Sequence, residues 1–138
     1  MSIQTTAHIN FRGDARAALE FYRSVFDGEM TIATYADIHA VEAPSQVDQV
    51  AWGQVTAPSG FRVMAYDVQP SRVFNPGENS FYIALHDTDA AEISARWDAL
   101  AAGATIATPL APAQFAPLYG MLTDRFGVTW IVDVGPAS

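Results

Sequence analysis

One pattern occurs twice in this chain and narrows the folds open to it: a short alternating strand that breaks at once into a helix. The first copy is His8 to Phe26, HINFRGDARAALEFYRSVF, and the second is Phe81 to Ala104, FYIALHDTDAAEISARWDALAAGA. In the first, Ala7, Ile9 and Phe11 share one face of a strand over Thr5–Phe11, with Thr6, His8, Asn10 and Arg12 on the other. That period of two marks a half-buried strand. Gly13-Asp14 breaks it, and Asp14 is placed to cap the helix that follows. Ala15, Ala18, Leu19, Tyr22, Val25 and Phe26 make an apolar stripe at helical spacing, and Gly28 is expected to end the helix through a left-handed backbone. In the second copy Ser80–His86 alternates and Asp89 with Glu92 has capping-box spacing. Ile93, Trp97 and Leu100 form the stripe, and Gly103 closes it.

Three strands are expected after each helix. Met30–Tyr35, Val50–Thr56 and Phe61–Val68 follow the first, the last two joined as a hairpin by Pro58-Ser59-Gly60. Ala104–Thr108, Tyr119–Thr123 and Val128–Val134 follow the second. Asp37–Val47 is polar and broken by Pro44-Ser45, which predicts a loop or lid edge with a short helical turn. Pro109–Pro117 predicts a Pro-rich loop, and the tail Gly135–Ser138 is expected to fray. Pro70, Asn75, Pro76 and Gly77 make 69–79 the natural linker. The predicted fold is α+β: one domain, 1–138, of two βαβββ modules, 1–68 and 80–138. Their strands would form one curved mixed sheet with a concave cleft, helices outside.

Charge and composition remove several function classes. Fifteen acids against seven bases, all of them Arg, leave a net charge of -8, which repels a phosphate backbone, so nucleic acid is not expected as a partner. Without Lys there is neither a Schiff base nor a P-loop, and without Cys neither a disulfide nor a thiolate site. No apolar run reaches the ~18 residues of a spanning helix, and no signal-like segment is read at the start. The expected setting is cytoplasmic, away from membranes.

FRGDARAALEFYRSVFDGE (11–29), VMAYD (63–67) and TDRFGVTWIVDV (123–134) resemble the PhnB-like branch of the vicinal oxygen chelate superfamily, the last segment most specifically. That superfamily includes glyoxalases, extradiol dioxygenases, fosfomycin-resistance enzymes and bleomycin-binding proteins. The resemblance implies paired βαβββ modules and a homodimer. It also implies metal ligands, in the metal-dependent members, at positions matched here by His8, Trp52, Ser80 and Ile131. Only the first of these is a ligand type. Proteins of this branch are often labelled ubiquinone-pathway methyltransferases, but no glycine-rich nucleotide loop is present here.

A divalent metal site takes at least three His, Asp or Glu side chains in fixed geometry, and the three histidines, His8, His39 and His86, show no ligand spacing. One convergent set remains conceivable, His8 with His86 and Asp67. His8 is either an ordinary strand histidine or an acid/base group, and Asp67, ending an apolar strand, is either a second catalytic group or an organiser of the following loop. Trp52, Tyr66, Phe115 and Tyr119 are either core and interface aromatics or the walls of a substrate pocket. The reading carried forward is a metal-free, cofactor-free protein that binds a small amphiphilic or aromatic molecule. The alternative is a divalent-metal-dependent lyase, isomerase or dioxygenase with His8 as a ligand.

Overall fold

The computed structural model describes residues 3–135, so the tail beyond Gly135 that was expected to fray lies outside the described residues. Two compact units divide the chain, 1–76 and 77–138. In the first, β1 (Ala7–Phe11) leads into α1 (Ala15–Phe26), followed by β2 (Glu29–Thr34), β3 (Val50–Thr56) and β4 (Arg62–Asp67). In the second, β5 (Ile83–Asp87) leads into α2 (Ala90–Ala101), then β6 (Thr105–Ala113), β7 (Ala116–Thr123) and β8 (Thr129–Val134). The βαβββ order read from the sequence is therefore present twice.

The expectation of one curved sheet with a concave cleft is not met. The strands form two separate four-stranded sheets, ordered β1-β4-β3-β2 and β5-β8-β7-β6, each open at both edges. The physical reason is the pairing: the first strand of each unit pairs in parallel with the last strand of the same unit, β1 with β4 and β5 with β8. Each set of four strands thus pairs within its own sheet.

In unit 1 the stripe of Ala15, Ala18, Leu19, Tyr22, Val25 and Phe26 is buried with Phe11, Val55, Val63 and Ala65, and Phe26 stacks on Phe61 with ring centroids 3.6 Å apart. In unit 2, Ile93, Trp97 and Leu100 are buried with Leu122, Trp130, Val132 and Val134. Burying side chains of this size stabilises each unit by about 1.5–3 kcal/mol per residue before conformational entropy is counted.

Two local expectations change and a third is met. Gly28 does not end α1 through a left-handed backbone; Asp27 does, at φ 52° and ψ 46°. Gly28 is needed for space instead, because a Cβ there would lie 2.7 Å from the Thr56 carbonyl oxygen. Pro109–Pro117 is not a loop either: Pro109 and Pro112 lie in β6 and Pro117 in β7. β6 is an edge strand with several register shifts against β7, and edges and bulges are where a sheet tolerates residues with no N–H. Within Asp37–Val47 the expected helical turn is a single 3-10 turn, Pro44–Gln46.

The linker region is fastened to unit 1. The Arg12 guanidinium donates to the carbonyls of Val68, Gln69 and Arg72 and lies over the Phe74 ring, while Ser71 donates to Glu42 through its N–H and its hydroxyl.

Gly120 supplies a test of packing on the other unit. A Cβ there would fall 2.8 and 2.9 Å from Trp97 ring carbons and 3.0 Å from the Leu110 Cα. Gly120→Ala is expected to destabilise the fold by about 1–3 kcal/mol through overpacking. Urea unfolding should show a lowered midpoint with an unchanged slope; an unchanged midpoint would refute this packing account.

Candidate functional site

Asp67 ends β4 on the face that α1 covers and is 1% exposed. One carboxylate oxygen accepts the backbone N–H of Gly13 at 2.6 Å and of Ala15 at 3.1 Å. The other accepts the N–H of Val50 at 2.9 Å. Asp14 occupies the N-cap position of α1 but its side chain makes no capping bond. The cap comes instead from a strand far along the chain. A carboxylate at a helix N-terminus is favoured by the exposed donors and by the helix dipole. Asp67 thus ties the β1–α1 junction, β3 and β4 together. Its carbonyl also accepts a hydrogen bond from the buried Tyr35 hydroxyl.

A cavity of ≈ 350 Å³ borders this region, lined by Arg16, Glu20, Asp48, Gln49 and Asp67 among others, none of them aromatic. It is separate from the aromatic residues picked out from the sequence.

Those aromatics stand on the opposite, helix-free faces. In unit 1 the register pairs His8 with Met64 and Asn10 with Tyr66, out of phase with the buried Val63, Ala65 and Asp67. His8 Nδ1 lies 2.9 Å from Asn10 Oδ1, and its ring meets Tyr66 edge-on at 5.2 Å. Trp52 is 39% exposed and alternates with the buried Gly53, which puts it on the same face. The structure therefore brings His8, Tyr66 and Trp52 onto one face and puts Asp67 on the other.

In unit 2 the helix-free face has two adjoining rows. Tyr119, Asp133 and His86 are consecutive cross-strand partners on β7, β8 and β5, and Met121, Ile131 and Ala84 form the row beside them. His86 Nδ1 lies 2.7 Å from Asp133 Oδ1, and Phe115 meets Tyr119 edge-on at 4.9 Å. Phe115 itself sits in the turn between β6 and β7 and is 71% exposed. Sequence reading found Phe115, Tyr119 and His86 but missed Asp133. The available signal was a lone carboxylate in the apolar run TWIVDV, on the face away from α2.

Asp124 is buried and does more than close the turn before β8. It accepts N–H bonds from Phe126 and Val128 and the indole N–H of Trp130 at 2.9 Å.

The convergent set of His8, His86 and Asp67 does not form, because His8 and Asp67 point to opposite faces of one sheet. Among the described residues no group of three His, Asp or Glu side chains is placed to hold a metal ion. Nor does the site fit a methyl-donor cofactor. Such a group needs free donors at the strand-to-helix turn, and here the Gly13 and Ala15 N–H groups are filled by Asp67.

Two ionisable groups of unit 1 have shifted titrations. Burial, followed by the charges of Tyr66, Asp67 and Glu42, raises the Tyr35 phenol above its ordinary 10.0. Hydrogen bonds with Thr34 hold the exposed Asp37 carboxylate below its ordinary 3.8. Since Tyr35 is raised, its contribution to stability is full below pH 10.0 and is lost as pH rises through its folded-state value.

Substitution at Asp67 separates a structural role from a chemical one. Asp67→Ala leaves the buried N–H groups of Ala15 and Val50 without acceptors, along with the part-buried N–H of Gly13; at about 1–3 kcal/mol for each buried group, a loss of roughly 3 kcal/mol or more is expected in chemical denaturation. A variant as stable as the parent would show that the carboxylate is not the fastening of unit 1.

Comparison with known proteins bears on the family and the fold. The family model for 3-demethylubiquinone-9 3-methyltransferase matches residues 3–133. A crystal structure of a protein from Pseudomonas aeruginosa superposes with a TM-score of 0.86 at 29% identity, covering 99% of this chain and 100% of that one. A PhnB protein from Bacillus cereus, a putative 3-demethylubiquinone-9 3-methyltransferase by its description, gives 0.73 at 26% identity, covering 96% and 100%. A glyoxylase/bleomycin resistance protein/dioxygenase domain from Frankia sp. gives 0.67 at 13% identity over 98% of each chain, a likeness of fold alone. No match is found among curated proteins.

Proposed function

The chain belongs to the family of the 3-demethylubiquinone-9 3-methyltransferase model, within the PhnB-like branch of the vicinal oxygen chelate superfamily, and from that membership we propose that it is a small-molecule-binding protein working without a metal. The observation that carries this reading is the pairing of rings on the helix-free faces, His8 against Tyr66 and Phe115 against Tyr119. Aromatic side chains left accessible beside a few polar groups suit a small aromatic or amphiphilic ligand. In unit 1, Trp52 and Tyr66 supply apolar walls and His8 a polar handle. In unit 2, Phe115 and Tyr119 supply the walls. Asp67 contributes by holding the strands in place.

Methyl transfer is not part of the proposal, since the turn that would receive the donor is occupied by a carboxylate. The metal-dependent alternative requires His8 to act with partner ligands, and among the described residues no group of three His, Asp or Glu side chains is placed to hold an ion. Two copies of the chain are proposed to assemble as a homodimer, a reading supported by exposed apolar side chains such as Phe81 and Val73, and the proposed setting is the cytoplasm. Among the described residues no helix is long and apolar enough to cross a membrane.

The first test reads ligand binding through Trp52, the exposed member of the three tryptophans, since Trp97 and Trp130 are buried. Titration with small aromatic amphiphiles is expected to quench its emission. Trp52→Ala, which removes the reporter and is therefore followed by equilibrium dialysis alongside the parent, should weaken binding about tenfold or more, the loss of one apolar wall worth about 1.5–3 kcal/mol. Binding unaffected by Trp52→Ala would remove the unit 1 face from consideration.

The second test concerns metal. Protein purified without added metal and then incubated with Zn, Ni, Mn or Fe(II) should hold no stoichiometric ion, and His8→Ala should leave that result unchanged. Stoichiometric metal that disappears in His8→Ala would replace this proposal with the enzyme reading.

A further inference from the structure

Resting on the ligand-binding reading above, the geometry points to a proton acceptor on the helix-free face of unit 2: His86, positioned by Asp133, receives a proton from the hydroxyl of a small phenol-like ligand. Two observations lead there, with the chemistry of the pair. His86 Nδ1 is 2.7 Å from Asp133 Oδ1. A carboxylate at neutral pH only accepts hydrogen bonds, so the proton between them belongs to Nδ1. The neutral ring then keeps its lone pair on Nε2, the nitrogen able to take a proton. The side chain of His86 is 66% exposed and that of Asp133 20%, so the imidazole is open to a ligand while the carboxylate behind it is mostly covered.

The surroundings define the ligand class. Tyr119 is the next residue in the same cross-strand row, on the far side of Asp133. Strands about 4.8 Å apart put its backbone roughly 10 Å from that of His86, a span that one aromatic ring can bridge. The adjoining row of Met121, Ile131 and Ala84 is apolar and lies about 7 Å along the strands, within reach of the same ring. An aromatic ligand with one acidic hydroxyl matches both rows. The step breaks the ligand O–H bond, leaves the electron pair on oxygen and forms an N–H bond at Nε2. The resulting imidazolium lies against the Asp133 carboxylate, and no metal or other reactant is consumed.

Unit 1 offers an internal contrast. His8 Nδ1 also has an oxygen partner on its own face, but that partner is the neutral amide of Asn10. A carboxylate stabilises an imidazolium by charge and an amide does not. Proton transfer is therefore assigned to His86 and not to His8.

The probe is 4-nitrophenol, whose visible absorbance reports ionisation, with binding measured in parallel by equilibrium dialysis. At a pH where the free probe is half ionised, the bound probe is expected to show an ionised-to-neutral ratio about tenfold higher, the effect of an opposite charge nearby. Asp133→Asn and His86→Gln should return the ratio of the bound probe to its value in buffer. Nitrogen-15 spectra of the imidazole should show the proton on Nδ1 in the parent protein. Bound probe with the ratio of buffer, a ratio that survives both substitutions, or the opposite tautomer would overturn the inference while leaving ligand binding intact. No binding of the probe would overturn both the inference and the ligand reading of this face.

Discussion

Unit 1 depends on one buried carboxylate. Burying an ionised Asp is costly unless its charge is met by donors, and Asp67 meets three backbone N–H groups from two separate elements. Those donors are themselves problems that need solving. The N-terminus of α1 has N–H groups with no intrahelical partner, and the Val50 N–H is buried at the start of β3. One side chain answers both demands. It thereby fixes where α1 leaves β1, and with it which face of the sheet the helix covers and which face keeps His8, Trp52 and Tyr66.

Unit 2 solves the same architectural problem with local parts. Asp89 caps α2 from the preceding residue, accepting the N–H groups of Ala91 and Glu92. Asp87 accepts those of Thr88 and Asp89 just before it. Its buried carboxylate, Asp124, serves its own turn and the indole of Trp130. The two modules share an order of elements but not their fastenings. They also differ in what they present on the uncovered face: an amide-backed imidazole in one, a carboxylate-backed imidazole in the other.

What could be read from the sequence follows the range of each interaction. The strand and helix periods, the Asp89 cap and the hairpin at Pro58-Ser59-Gly60 depend on residues within a few positions, and all are found. The edge role of β6 depends on which strands flank it, so its prolines read as a loop. Gly28 was read through the commonest local reason for a helix-ending glycine, whereas its actual constraint is the Thr56 carbonyl on another strand. Single curved sheet or two open ones is a question of partner choice, which alternation along a strand does not encode. In the candidate site the aromatics were visible as residue types. The partnership of His86 with Asp133 required the parallel register of β5 on β8, set by residues 47 positions apart.

The placement of the α1 cap has a consequence for how the chain is made. Asp67 stands 54 residues beyond Gly13 and 52 beyond Ala15, so a growing chain exposes the start of α1 long before its acceptor has been synthesised. Domains emerge from synthesis at about 5–20 residues per second, which leaves that helix end uncapped for several seconds. α2 has no such delay, because Asp89 precedes it. The first module must therefore wait for its last strand to lock, while the second can begin ordering its helix as soon as that helix appears.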